Sequence, residues 1–79
     1  MTSESIERFK QALIDLCTGN TSTFTSEEVA TKAELSHTIE VHDEIPRYLH
    51  NEEHWFAGTV YPPTGTDTVW SGLRPRRLP

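Results

Sequence analysis

The sequence predicts an α+β fold in which three helices are followed by a two-stranded antiparallel hairpin. Three observations lead to this prediction. Apolar residues recur at helical spacing in the first half of the chain. A hydroxyl-and-glutamate pattern typical of a helix start precedes the second apolar stretch. Two segments rich in aromatic and β-branched residues then flank a tip rich in proline and glycine.

The first helix is predicted over about residues 4–17. Its apolar side chains are three or four positions apart and so share one face: Ile6, Phe9, Leu13 and Leu16. Ser3 is placed to cap the first turn. Gly19 follows the last turn, where a left-handed residue commonly ends a helix.

The second helix is predicted over about residues 26–35, because Thr25 and Glu28 form a capping-box pattern before it. The third helix is harder to place, since Pro46 lacks an N–H and disfavours helical dihedrals in the residue before it. Either the helix kinks at Pro46, or a new helix begins there. We favour a start near Asp43 and an end near Asn51, with residues 37–42 irregular or forming one loose turn.

The hairpin is predicted from residues 54–61 and 68–73, joined by a turn over residues 62–67. Symmetric pairing about this tip places Val60 opposite Val69 and Phe56 opposite Leu73, all facing the helices. The other face then carries aromatic side chains, among them Trp55, Tyr61 and Trp70. In this register Trp55 lies opposite Arg74, within reach of a cation–π contact. Either this face is exposed, or a one-residue shift in register or an N-terminal segment folded across it buries these side chains.

Length and composition limit the class of protein. The 79 residues suffice for one domain, predicted over residues 1–74, with a short basic tail over 75–79. The single cysteine, Cys17, excludes an intrachain disulfide and favours a reducing, cytoplasmic location. The sequence has no apolar run of the roughly 20 residues that span a bilayer, so we expect no membrane insertion.

The net charge of −5 is unevenly distributed. Residues 1–45 carry nine Asp and Glu against three Lys and Arg, a net charge of −6. Residues 46–79 carry four Arg against three acids, a net charge of +1. Nucleic-acid-binding proteins usually present a basic face to the phosphates. Here basic residues concentrate only near the C-terminus.

The order of elements resembles the winged helix-turn-helix family of DNA-binding domains. Two segments carry the resemblance, residues 25–30 (TSEEVA) and residues 33–36 (AELS), followed by the third helix and the hairpin. Glu34 stands where that family often has glycine. The resemblance implies a small DNA-binding protein that acts as a transcriptional regulator. Its third helix would enter the major groove of double-stranded DNA.

Carried over to this chain, the resemblance implies two sets of DNA-contacting residues. The groove-facing candidates are His37, Thr38, Glu40, His42 and Arg47. The candidates in the wing and its basic extension are Thr64, Gly65, Thr66, Arg74, Arg76 and Arg77. A homodimer would supply two such elements and offset the weak positive charge of one copy.

An alternative hypothesis is a protein-interaction module, such as a phage- or mobile-element-type inhibitor or adaptor. It would bind a larger protein through its acidic helices, which can mimic the charge of DNA. It could equally use the aromatic face formed by Trp55, Tyr61 and Trp70, since aromatic side chains are enriched at interfaces.

We predict neither an enzyme nor a metal or cofactor site. Residues 50–54 (HNEEH) match an inverted zinc-protease motif, but so short a chain offers little room for a third ligand and a cleft. Cys17 lies at the edge of an apolar helix face, where free cysteine usually acts as a small buried hydrophobe. The four glycines are scattered and form no phosphate-binding loop.

Overall fold

Three helices form the framework of the structure, a computed structural model that describes residues 1–66 and 68–78. Helix α1 spans Ser3–Cys17, and helix α2 spans Ser26–Ala33. The third helix covers residues 40–51, with a π-helical segment, Glu40–Glu44, that continues into helix α3, Ile45–Asn51. The predictions of helices over residues 4–17 and 26–35 are confirmed to within two residues at each end.

The helix ends show which caps the sequence predicted correctly. The capping box of Thr25 and Glu28 is present at the start of α2. Thr2, not Ser3, caps α1, because its Oγ1 accepts a hydrogen bond of 3.1 Å from the Ser5 N–H. Glu34 ends α2 in the left-handed conformation, with φ 57°, in the place where glycine is usual.

Pro46 lies in the first turn of helix α3, in line with the predicted start of a new helix there, and the turn before it is widened. The Ile45 N–H donates to the carbonyl of Glu40, five residues back. This wider π-helical turn accommodates a residue that has no N–H and whose ring crowds the preceding carbonyls. Residues 40–42, which we expected to be irregular or to form one loose turn, belong to the π-helical segment, so the third helix begins before the predicted start near Asp43.

The predicted two-stranded hairpin does not form, so the α+β fold class is wrong. The described residues contain three helices and no strand. After the third helix, the chain makes only isolated antiparallel bridges. These pair Phe24 with Leu73, Phe56 with Pro75, and Tyr61 with Ser71. Segments around residues 56–61 and 71–75 thus lie side by side without forming a regular ladder.

Proline and glycine explain why these segments do not become strands. Pro62, Pro63 and Pro75 lack the N–H that a ladder requires. Gly58 and Gly72 adopt φ of 66° and 72°, which turns the backbone away from an extended path. The predicted pairing of Phe56 with Leu73 is also wrong, since Phe56 lies opposite Pro75. Within the predicted 62–67 turn, Asp67 lies outside the described residues.

The core lies where the three helices meet the C-terminal segment. Helix α1 contributes Phe9, Leu13 and Cys17, and the third helix contributes its face of Val41, Ile45 and Leu49. The C-terminal segment completes the core with Phe56, Trp70 and Leu73. Trp70 is only 2 % exposed, so its predicted place on an exposed aromatic face is wrong. Its indole N–H is satisfied by Asp43, 3.0 Å away.

Residues 75–78 are attached to the body. Pro75 is buried, the Arg76 N–H donates to the carbonyl of Trp55 at 2.9 Å, and Leu78 packs against the core. Of the tail predicted over residues 75–79, Pro79 lies outside the described residues. The rest of that segment extends the pairing between the two C-terminal segments.

Candidate interaction surface

The outer face of the third helix is its most distinctive exposed surface. Val41, Ile45 and Leu49 are buried, which turns the opposite side of the helix to solvent. That side carries residues three or four positions apart, and we call it the α3 face: Ile39, Glu40, Glu44, Arg47, Tyr48 and Glu52. A groove of about 330 Å³ runs along the part of this face from Glu44 to Glu52 and is also lined by Met1 and Asn51.

The start of the α3 face combines an exposed apolar side chain with carboxylates. Ile39 is 77 % exposed, although isoleucine is among the residue types most often buried. Met1 is 54 % exposed, and its amino group lies 4.0 Å from the Glu40 carboxylate. Glu44 is exposed one turn further along. This end of the helix therefore presents an apolar centre with an acidic rim.

Most basic side chains of the described residues are held by groups of the protein itself. Arg47 donates to Asp43 at 2.7 Å, and Arg8 donates to the Ala33 carbonyl at 2.8 Å, beyond the last turn of α2. Two further bases are bound in the same way: Lys10 by Glu53 at 2.5 Å and Arg74 by the Asn20 carbonyl at 2.6 Å. Two of these four bases are thus paired with carboxylates, and the other two are held by backbone carbonyls.

Trp70 and Asp43 fix the middle of the third helix. Asp43 accepts hydrogen bonds from the indole of Trp70 and from Arg47, whose guanidinium carbon lies 5.7 Å from the Trp70 ring centroid. The Trp70 hydrogen bond, with help from Arg47, lowers the pKa of the Asp43 carboxyl against the opposing effect of burial. Arg47, the cation of the α3 face, is therefore paired with the half-buried Asp43 carboxylate.

The corner between α2 and the third helix holds a chain of four hydrogen-bonding side chains. His37 Nδ1 lies 2.9 Å from His42 Nε2, and His42 Nδ1 lies 3.2 Å from the buried Ser26 Oγ. His37 Nε2 contacts Thr31 Oγ1 at 3.3 Å. Only one of the two facing ring nitrogens can carry a proton, so the contact requires that at least one histidine is neutral.

Acid should weaken this corner. Burial, and then the nearby His37, lower the pKa of His42 below its ordinary value of 6.5, against the opposing effect of Glu27. The unfolded chain therefore binds this proton more readily than the folded protein. The stability that neutral His42 contributes should be fully present above pH 6.5. It should be lost as the pH drops through the lower pKa of His42 in the folded state.

Urea unfolding at a series of pH values, followed by circular dichroism, measures this effect. His42→Asn keeps a polar amide group near Ser26, but asparagine does not titrate. The variant should therefore lose less stability at acidic pH than the wild type does. His54→Asn is the matched control, because His54 is exposed and left-handed, and asparagine tolerates that conformation. An unchanged slope in His42→Asn would contradict the assignment.

The residues predicted to contact DNA are distributed over several surfaces. His37, Thr38 and Arg47 are exposed near the start of the third helix, whereas Glu40 and His42 are half-buried. The exposed residues elsewhere are Thr64, Gly65, Thr66, Arg76 and Arg77. Arg74 is half-buried and donates to the carbonyls of Asn20 and Ser22. The structure brings His37 and His42 into contact, whereas Arg47 contacts Asp43 and Arg74 is held by the loop carbonyls.

The predicted aromatic face is not one surface. Trp70 is buried, Trp55 is half-buried, and only Tyr61 is exposed, at 60 %. Trp55 does not meet the Arg74 side chain as predicted, since Lys10 Nζ lies 5.6 Å from its ring centroid instead. The contact between Lys10 and Trp55 could not be predicted from the sequence, because the two residues are far apart along the chain.

The histidines and the cysteine supply no further constellation. Helix α3 ends at Asn51, so His50 and His54 do not share a helix face, and His50 lies against the Trp70 ring. Among residues 1–66 and 68–78, no three His, Cys, Asp or Glu side chains are grouped to hold a metal ion. Cys17 is buried, and burial raises the pKa of its thiol against the opposing effect of Arg74.

No protein-family model, curated protein or solved structure matches this chain. Within the part of the chain that the structure describes, no helix is both long enough and apolar enough to cross a membrane. The function must therefore be argued from the surface of the molecule.

Proposed function

We propose that this protein is a protein-interaction module whose α3 face binds a partner with a basic surface and an apolar pocket. The observation that carries the proposal is the exposure of Ile39, 77 %, beside the carboxylates of Glu40 and Glu44. Protein interfaces commonly combine an apolar centre with a polar rim. Complementary charge adds specificity and speeds association.

The negative charge of the α3 face indicates which kind of partner it can bind. Three carboxylates lie along it, and its one cation, Arg47, is engaged with Asp43. The phosphates of DNA would be repelled by this face, whereas lysine and arginine side chains would be attracted. A second copy of the chain would bring the same carboxylates together, so the proposed partner is a different protein.

An NMR titration with two probes tests the proposal. The first probe is an amphipathic peptide rich in lysine and leucine, and the second is a mixed-sequence DNA duplex, each at two salt concentrations. We expect the peptide to shift the backbone signals of residues 39–52 and the duplex to leave them unchanged. Higher salt should weaken peptide binding, because screening reduces the attraction between exposed charges.

Two variants of equal charge separate a specific face from general acidity. Glu40→Gln/Glu44→Gln/Glu52→Gln should weaken peptide binding about tenfold, since each exposed ion pair contributes about 0.2–1 kcal/mol. Glu4→Gln/Glu7→Gln/Asp15→Asn removes three carboxylates from α1 and should leave binding nearly unchanged. Equal losses in both variants, or no effect of Ile39→Ser, would contradict the proposal.

Duplex DNA binding is a second candidate, favoured by one observation. Helix α2, the left-handed corner at Glu34 and the third helix follow each other as in a helix-turn-helix, with His37 and Thr38 exposed at the corner. The duplex titration tests this candidate as well. If the third helix responds to DNA, and Arg76→Gln/Arg77→Gln flattens the salt dependence, DNA binding replaces the first proposal.

A further inference from the structure

A second cavity lies at the opposite end of the third helix from Ile39. It has a volume of about 290 Å³ and is lined by Glu53, His54, Trp55, Arg76 and Arg77. This set combines a flat aromatic ring with two guanidinium groups and an imidazole. None of these residues belongs to the α3 face, so the cavity requires its own explanation.

Backbone hydrogen bonds hold the two walls of the cavity together. On one wall the chain leaves α3 through His54, which is left-handed with φ 48°, and the Trp55 N–H donates to the Leu49 carbonyl at 2.9 Å. This hydrogen bond joins two residues that are six positions apart, and it closes the C-terminal end of helix α3. On the other wall the Arg76 N–H donates to the Trp55 carbonyl at 2.9 Å. The aromatic and basic side chains are therefore presented from a fixed backbone.

The charge of the cavity is opposite to that of the protein. Its carboxylate, Glu53, is held by Lys10 at 2.5 Å, and the same ammonium group lies 5.6 Å from the Trp55 ring centroid. Neither Arg76 nor Arg77 has a side-chain hydrogen bond or ion pair with any residue of the described ranges. In a chain of net charge −5, two guanidinium groups that have no side-chain partner among residues 1–66 and 68–78 thus lie beside an aromatic ring.

We propose that this cavity binds a nucleotide, with the base against Trp55 and the phosphate on Arg76 and Arg77. Guanidinium groups match phosphate oxygens in pairs of parallel hydrogen bonds. Aromatic side chains stack on any nucleobase, because every base has a π-face. The same chemistry is offered by a free mononucleotide and by the phosphorylated end of a single strand. The volume is close to the lower end of the range of small-molecule cavities, roughly 300–1,000 Å³.

The test is an NMR titration of the whole chain that follows the two indole N–H signals. The probes are AMP, adenosine, inorganic phosphate and a short oligothymidylate with a 5′-phosphate. AMP should shift the Trp55 indole signal at millimolar concentration and leave the buried Trp70 signal in place. Adenosine and inorganic phosphate should each bind at least about tenfold more weakly, because each lacks one half of the recognition.

Matched variants identify the groups responsible. Arg76→Gln/Arg77→Gln should weaken AMP binding about tenfold or more, since two charge-assisted contacts are lost. Lys32→Gln removes an exposed base that lies outside the cavity and should leave affinity unchanged. Tighter binding of the oligonucleotide than of AMP would assign the site to single strands, and equal binding would assign it to a terminal or free nucleotide. No Trp55 shift with any probe, or wild-type affinity in the double variant, would overturn the proposal.

Discussion

Trp70→Ala should lower the free energy of unfolding by about 3–5 kcal/mol, the usual cost of removing a large aromatic side chain from a core. Trp70 is 2 % exposed, so alanine would leave a cavity between the third helix and the C-terminal segment. The substitution also removes the indole N–H that Asp43 accepts at 3.0 Å. Small domains have only about 5–15 kcal/mol in total, so this loss is a large share of the stability.

Urea denaturation followed by far-ultraviolet circular dichroism measures the effect. Trp70→Phe keeps most of the buried volume and loses the hydrogen bond, so its cost should be smaller, about 1–3 kcal/mol. Tyr61→Ala is the matched aromatic control, and because Tyr61 is 60 % exposed it should cost less than about 1 kcal/mol. Similar losses for Trp70→Ala and Tyr61→Ala would mean that Trp70 is not a core residue.

Arg74→Met should destabilise the protein by about 2–3 kcal/mol, although arginine is usually a surface residue. Its guanidinium donates to the carbonyls of Asn20 at 2.6 Å and Ser22 at 3.3 Å. It thereby ties the loop between α1 and α2 to the C-terminal segment. Methionine retains much of the apolar stem, so the loss reports mainly on the charged hydrogen bonds.

Arg77→Met is the control for this prediction. Arg77 is exposed and has no side-chain hydrogen bond within the described ranges, so the change should stay within about 0.5 kcal/mol. The measurement is again the urea midpoint, with the slope checked for two-state behaviour. If both arginine variants were equally stable, the contacts of Arg74 with the loop would contribute nothing.

The helices could be predicted because their signals are local. The spacing of Phe9 and Leu13 and the capping box at Thr25 lie within a few residues of the structure they specify. The widened turn before Pro46 could not be predicted as readily, because either a break or a kink satisfies the same local rule. Its outcome depends on Val41 and Ile45 both reaching the core.

The hairpin was predicted from composition, and composition alone was insufficient. Aromatic and β-branched residues favour strands only when the backbone can pair continuously. Gly58 and Gly72 interrupt that pairing with positive φ, and Pro75 offers no N–H. The sequence also could not show which face of the segment Trp70 occupies, because a shift of one residue turns every side chain over.

The candidate sites depended on contacts between residues that are distant in sequence. The acids of the α3 face were visible as a charge bias, but the engagement of Arg47 and Arg74 with internal acceptors was not. The cavity beside Trp55 likewise requires residues 53–55 and 76–77 to meet. Only the three-dimensional structure supplies that information.

The pairing of Phe24 with Leu73 has a consequence for biosynthesis. Both backbone hydrogen bonds of this pair, 3.0 and 2.9 Å, join the loop after the first helix to a residue close to the end of the chain. Trp70 and Leu73 are also needed to close the core. A nascent chain whose residues 70–73 are still inside the ribosome lacks these partners, so the core cannot close until that segment has emerged.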